Sequence, residues 1–305
     1  MKILILDANS ILNRAFYGIR SLSTKDGIFT NGIYGFLNIL MKLKEQVEPD
    51  KIFAAFDLKA PTFRKEIYPE YKAGRKPQPQ ELTMQFPILK EILELYGVNV
   101  LQKEGYEADD FLGTVARLCG QRDFECYIAT GDRDSLQLVN KTTTVLLAAT
   151  KAGQPELRVY TPERIFEIYG VMPIQLIDVK ALMGDASDNI PGVAGVGEKT
   201  ALALIARFRS LDGVYGNIES PDIKSGVRQK LLKDKENAYM SLKLGTICKE
   251  VPCDISFEQN PADIDGLKKK LASLELFRII KRMGLENAGE KARGASAERQ
   301  IEVEP

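Results

Sequence analysis

KILILD, residues 2–7, is a short apolar run that ends on a carboxylate, and the same ending recurs in IFAAFD at 52–57 and YIATGDRD at 127–134. Runs of this length and character read as strands buried on both faces, as in a parallel α/β sheet. Ligands of such sheets bind outside the carboxyl ends of the strands. Asp7, Asp57, Asp132 and Asp134 are therefore expected to face one crevice. Glu107, Asp109 and Asp110 in EADD, and Asp185 and Asp188 in GDASDN, add further clusters. So many carboxylates cannot remain ionised together without cations to neutralise them. Oxygen-only donor sets suit hard divalent ions, Mg²⁺ or Mn²⁺, and Mg²⁺ held by a few carboxylates typically works on phosphates. The pattern predicts metal-dependent phosphodiester chemistry.

Composition narrows the alternatives. The 305 residues carry 42 Lys and Arg against 42 Asp and Glu, so the net charge is zero and any attraction for nucleic acid must be local. Histidine is absent. That excludes a Ser-His-Asp triad, Cys-His pairs and histidine-ligated zinc, and leaves acid–base work to carboxylates, lysines, tyrosines or metal-bound water. Cys119, Cys126, Cys248 and Cys253 show no metal-ligand spacing and read as reduced thiols. The chain opens without a signal-peptide pattern, and no run approaches the ~18 apolar residues of a membrane span. A cytoplasmic, monomeric protein with no membrane partner is expected.

Strand and helix signals alternate from KILILD through a helix near 32–47, IFAAFD, a helix near 80–96, NVLQ, a helix near 107–121, ECYIAT and TTVLLAA. This βαβ pattern predicts a mostly parallel twisted sheet with flanking helices. Residues 58–80 interrupt it with Pro61, Pro69, Pro77 and Pro79, an excursion long enough to be functional. From about 160 the sequence turns helical: 161–170 with Thr161 as N-cap and Gly170 as C-cap, 173–184, a glycine-rich turn leading into a helix that ends near 208, 226–247, and one or two helices over 263–284. The expected division is an α/β core over 1–180 that includes the 58–80 excursion, a helical subdomain over 181–286, and a disordered polar tail over 287–305.

Each acidic pair has an ordinary explanation on its own. Asp after a strand caps helices and forms turns, and acids suit a first helical turn. Glu107 and Asp110, three apart, share a helix face with Asp109 beside them. Three like charges there strain the ordinary account. Within 59–76, Lys59, Arg64, Lys65, Lys72, Arg75 and Lys76 interleave with Tyr68 and Tyr71. A solvated loop would look the same, but so would a single-strand channel in which bases stack on tyrosine and cations track phosphates. Gly192, Gly195 and Gly197 precede a helix start, where backbone N–H groups can approach a phosphate, with Lys199 alongside.

Taken in order, DANS (7–10), FR…YPEYKAGR (63–75), EADD, TGDRD, GDASDNIPGV and GVGEKTA resemble the 5′ nuclease family, which includes the 5′–3′ exonuclease domain of bacterial DNA polymerase I, phage 5′ exonucleases and the flap endonucleases. The similarity runs from residue 1 to about 285. It implies a PIN-like α/β core, a helical arch over the 58–80 excursion and a helix–hairpin–helix element that grips duplex DNA, in a free-standing exonuclease or a nuclease domain separated from a polymerase. It also implies two metal ions. One site matches Asp7, Asp57, Glu107 and Asp109, with Asp110 in or near it. The other matches Asp132, Asp134 and Asp185, with Asp188 nearby and Asp109 able to bridge. Lys72 and Arg75 match arch residues that offset the charge of the scissile phosphate. Tyr71 and Arg64 belong to the same DNA-contacting segment, Arg14 lies near the DNA junction, and the hairpin often holds K⁺. The implied activity is a Mg²⁺- or Mn²⁺-dependent 5′–3′ exonuclease and 5′-flap endonuclease on DNA, with RNA primer junctions among its substrates. The rival is a non-catalytic DNA-junction binding module.

Overall fold

A computed structural model describes residues 1–151 and 154–286, so the expected disordered tail over 287–305 lies outside the described residues. Its centre is a six-stranded sheet. The strands are β1 (Lys2–Asp7), β2 (Lys51–Ala55), β3 (Asn99–Leu101), β4 (Glu125–Thr130), β5 (Thr143–Lys151) and β6 (Gln154–Tyr160), in the order β3-β2-β1-β4-β5-β6. All neighbours run parallel except β6, which pairs antiparallel with β5 at one edge. The edge strand escapes sequence reading because it is flanked by polar residues and carries Pro155, tolerated only where one side of a strand is unpaired.

The alternation inside KILILD explains the layers. Leu4 and Leu6 join one buried cluster with Leu12, Phe36 and Leu40, while Ile3 and Ile5 join another on the opposite face with Phe111, Leu112 and Ile128. Successive side chains of a strand point to opposite faces, so a strand apolar at every position is sandwiched between helices. A third cluster, running from Val171 to Ala238, is the core of a helical lobe. The C-terminal helices Ile264–Ser273 and Phe277–Arg282 do not join that lobe. Leu267, Leu271, Ile279 and Ile280 pack back onto the Leu40 side of the sheet.

Helix predictions hold in position but often split in two. The stretch near 80–96 is Gln80–Thr83 followed by Gln85–Leu95, and 226–247 divides into Ser225–Lys233 and Lys235–Gly245 at Asp234. Among the described residues, no helix is long and apolar enough to cross a membrane.

β1 and β4 are adjacent, and the chain leaves them toward opposite edges of the sheet. This is the topological switch point, where an open α/β sheet forms its crevice. In the pairing register Leu6 stands opposite Ala129, so Asp7 and Thr130 emerge side by side at the floor of that crevice.

Candidate active site

The floor is tied together by one hydroxyl. Thr130 Oγ1 donates to Asp7 Oδ2 at 2.7 Å and accepts the Asp132 N–H at 2.9 Å. Asp7 also caps the Ala8–Gly18 helix by accepting the Ser10 N–H, and Asp132 caps the 3₁₀ turn Arg133–Leu138 by accepting the Asp134 N–H. The N-cap function expected of strand-end aspartates is therefore real; the cap takes one oxygen of each carboxylate, and in Asp7 the second accepts from Thr130. Asp57 follows β2 and reaches sideways to accept the Ala108 N–H at 2.7 Å, joining that strand to the helix Ala108–Gly120.

Glu107 is the N-cap residue of that helix, and Asp109 and Asp110 lie on its first turn. Asp109 Oδ1 is buried without a hydrogen-bond partner. Burial, together with the charges of Asp7, Asp132 and Asp134, pushes Asp109 well above the usual carboxylate range. Asp7 is raised to about 7, by burial first and then by Asp57 and Asp132. Burial likewise carries Asp134 to about 6, and Asp132 and Asp185 push the same way. The cleft thus concentrates more negative charge than its own side chains neutralise.

At the far end of the cleft, Asp134, Asp185 and Asp188 each bring one oxygen within 4.8 Å of the others. Asp185 Oδ1 accepts from the Ser187 N–H and hydroxyl, while Oδ2 pairs with Lys180 Nζ at 2.8 Å. Against the cost of burial, these partners hold Asp185 down at about 2. Lys180 also pairs with Asp134. Sequence reasoning missed Lys180; the available signal was a lone cation in LIDVKALM, a stretch apolar apart from Asp178 and Lys180, just before the GDASDN loop.

Residues 58–80 form the roof. The short helix Phe63–Ile67 is followed by turns, and Lys72 adopts a left-handed φ of 57° while its N–H donates to the Asp188 carbonyl at 2.9 Å. From there Lys72 Nζ reaches Glu107 Oε1 at 2.9 Å, and Arg75 pairs with Asp188. Both cations line the acidic cleft. Arg14 lines the same cleft beside Asp7 and Asp57.

Three expectations require correction. Arg64 is not placed to touch DNA: it is 2% exposed and forms a bidentate pair with Asp110 at 2.7 and 2.9 Å. Its Nε and Nη2 donate to the Leu244 and Thr246 carbonyls, an inward use that suits a planar five-donor group. Asp110 leaves the candidate metal set for the same reason. It is fully buried, and beyond Arg64 its oxygens accept the Glu107 and Cys248 N–H groups. Tyr71 does not present a stacking face. It is 3% exposed, and its hydroxyl donates toward Glu107 at 3.1 Å and Asp188 at 3.4 Å.

The glycine hairpin joins the cleft directly. Asp185 and Ile190 exchange both backbone hydrogen bonds, and a Cβ on Gly192 would lie 2.3 Å from the Gly184 nitrogen, so only glycine fits there. Gly192 and Gly195 adopt positive φ, and Gly197 is the N-cap of the helix Glu198–Phe208, with Lys199 exposed on its first turn. The Gly195 carbonyl accepts from Lys230 Nζ at 3.0 Å.

The chain that builds this crevice has known relatives. Residues 2–170 match the family model for the 5′–3′ exonuclease N-terminal resolvase-like domain, and residues 171–269 match the 5′–3′ exonuclease C-terminal SAM fold. The chain belongs to the 5′–3′ exonuclease family. It is 42% identical over 288 residues to DNA polymerase I of Caldicellulosiruptor bescii, covering 93% of this chain and 34% of that protein. It is 40% identical over 306 residues to DNA polymerase I of Bacillus subtilis, covering 99% of this chain and again 34% of the relative. The chain thus spans about a third of the length of these curated relatives. Among solved structures, bacteriophage T5 5′-exonuclease with bound zinc shares the fold with a TM-score of 0.66 at 22% identity, over 90% of this chain and 98% of that one. The T5 flap endonuclease in a pseudo-enzyme–product complex with DNA and metal ions gives 0.64 at 21%, over 92% and 100%. At these identities the likeness shows the fold: an α/β resolvase-like core carrying a helical lobe.

Proposed function

We propose that this chain is a divalent-metal-dependent 5′–3′ exonuclease and structure-selective 5′-flap endonuclease that hydrolyses phosphodiester bonds of DNA to leave 5′-phosphates. Asp109 carries the reading. A buried carboxylate oxygen without a partner, ringed by three more carboxylates, is costly unless a cation completes it. The all-oxygen donor set fits Mg²⁺ or Mn²⁺. Asp7, Asp57, Glu107 and Asp109 would hold one ion, and Asp132, Asp134, Asp185 and Asp188 would hold the other. Two such ions supply a water of lowered pKa and a counter-charge for the leaving oxygen.

The protein's own residues do the rest. Lys72 and Arg75 bind the phosphate at the roof and offset charge that grows during cleavage. Thr130 and the two N-caps keep the floor rigid, so the substrate meets a preorganised site. The glycine hairpin and Lys199 hold duplex phosphates, and Arg14 faces the strand near the junction. Potassium at the hairpin would displace Lys230 from the Gly195 carbonyl. RNA–DNA primer junctions are further substrates, and the protein acts as a cytoplasmic monomer. The relatives support this reading: one T5 structure carries zinc, and another carries DNA with metal ions.

The test is cleavage of a 5′-labelled flap and of a nicked duplex with Mg²⁺, with chelator, and with Asp109→Asn. Loss of cleavage in the latter two supports the proposal. Cleavage that survives the chelator overturns it.

A further inference from the structure

Lys180 is a buried cation lining the cleft that the proposed reaction leaves unused. It stands on the helix Leu176–Met183 with 8% of its surface exposed, its stem beside Gly245, where a Cβ would lie 3.4 Å from Lys180 Cδ. Its amine joins carboxylates of two different regions: Asp134, which follows β4, and Asp185, on the loop into the glycine hairpin. These are two of the three residues whose oxygens converge within 4.8 Å.

An ammonium donates to a carboxylate oxygen at ~2.8 Å, whereas Mg²⁺ binds one at ~2.1 Å through the same lone pairs. One oxygen cannot serve both fully, and two cations that close together repel in a partly buried site. At the Asp109 end Lys72 pairs with one assigned ligand, Glu107, at 2.9 Å, whereas Lys180 pairs with two; the orphaned Asp109 oxygen itself can take a cation without a hydrogen bond of its own being broken. We infer that Lys180 is a tethered counter-ion that occupies Asp134 and Asp185 ahead of a divalent cation and is displaced by it. The two ends of the cleft then bind cations with unequal affinity, the Lys180 end more weakly. Until a cation arrives, the amine holds the two carboxylates together across the boundary between sheet and helical lobe. This rests on the proposed reading that divalent cations bind the cleft.

The test is Mn²⁺ titration of the whole chain by calorimetry, comparing the parent with Lys180→Met and Lys180→Arg. Methionine keeps an unbranched stem and removes the charge; arginine keeps the charge. The expected result is two sites in the parent and in both variants. The weaker site should tighten by ~10-fold or more in Lys180→Met, as for removal of a cation competing in a partly buried site, and should stay near parental in Lys180→Arg. Unchanged or weaker binding in Lys180→Met overturns the inference and makes Lys180 an orienting residue instead. A second arm needs no variant: reductive methylation of the parent, read by mass spectrometry, should modify Lys180 faster as Mn²⁺ fills the weaker site. Labelling that stays constant through saturation overturns the inference, and this arm decides if Lys180→Met fails to fold. A parent that binds no Mn²⁺ in the cleft removes the metal reading itself, and this inference with it.

Discussion

Asp109 and Asp110 are neighbours on one helical turn and live in opposite surroundings. Asp110 points into the protein, where Arg64 and two backbone N–H groups meet its oxygens. Asp109 points into the cleft, where it meets other carboxylates and one of its oxygens meets nothing. A rotation of about 100° around the helix separates a structural lock from a candidate ligand. Residue type and position in the motif do not assign the role; the partner does.

The sharpest way to break this contrast is to neutralise each carboxylate side in turn. Asp109→Asn should abolish flap cleavage while leaving the fold intact, and should raise the melting temperature in metal-free buffer because one repelling charge is gone. Near-parental cleavage by this variant would return Asp109 to the structural class.

The converse change is Arg64→Met, which strands Asp110 as a buried charge. Removing one partner of a buried pair costs about 3–5 kcal/mol, and urea unfolding should show a loss of that size. If Arg64 instead served DNA, the variant would keep parental stability and lose affinity.

A third comparison sets the roof against the floor. Lys72→Ala or Arg75→Ala should slow single-turnover cleavage by ~10²-fold, the range for losing one charge-stabilising donor, while affinity measured with Ca²⁺ changes far less. A loop that only attracts DNA gives the reverse pattern: weaker binding and a preserved saturated rate.

The pH dependence of stability probes the cleft side alone. Asp7 is raised to about 7 by burial, so the folded state favours its protonated form. Its contribution is fully present below the ordinary Asp pKa and is lost as pH rises through about 7. Metal-free protein should therefore lose stability between roughly pH 4 and 7, at up to about 1.4 kcal/mol per pH unit for this group, and saturating Mg²⁺ should flatten the slope. Asp185, held at about 2, varies only below that window. A metal-free profile that is flat, or that rises with pH, would contradict the picture of an over-charged floor.

The smallest expected effect lies farthest from the chemistry. Lys199→Ala should lower the salt slope of duplex binding by ~0.9, the share of one phosphate contact, at an unchanged saturated rate. An unchanged slope would place Lys199 away from DNA.

The sheet was legible because KILILD, IFAAFD and ECYIAT are apolar at nearly every position, and only a doubly covered strand is written that way. The clustering of acids was legible because strand ends converge at a switch point. The roles of Arg64 and Tyr71 were not. A basic, tyrosine-bearing segment looks the same whether its side chains face a nucleic acid or turn inward onto Asp110 and Glu107. Lys180 was hidden for a related reason: a cation in a mostly apolar stretch hints at burial, but its partner Asp134 comes from a distant part of the chain and nothing local names it. The return of 264–285 to the sheet was equally silent, because an amphipathic helix does not specify which of two available cores it covers.

The Gly184–Gly192 loop has a mechanical consequence. Its backbone is closed by the Asp185–Ile190 pairing and by a glycine contact too tight for any side chain. Asp185 and Asp188 are thus mounted on the same closed loop that leads into the hairpin, whereas Asp7 ends β1 and Asp132 and Asp134 sit on the turn that leaves β4. The cleft is a vice with one fixed jaw and one jaw on a lever. Two of the cleft's carboxylates therefore share one closed backbone loop with the glycine hairpin, and their position relative to the sheet is that of the hairpin itself.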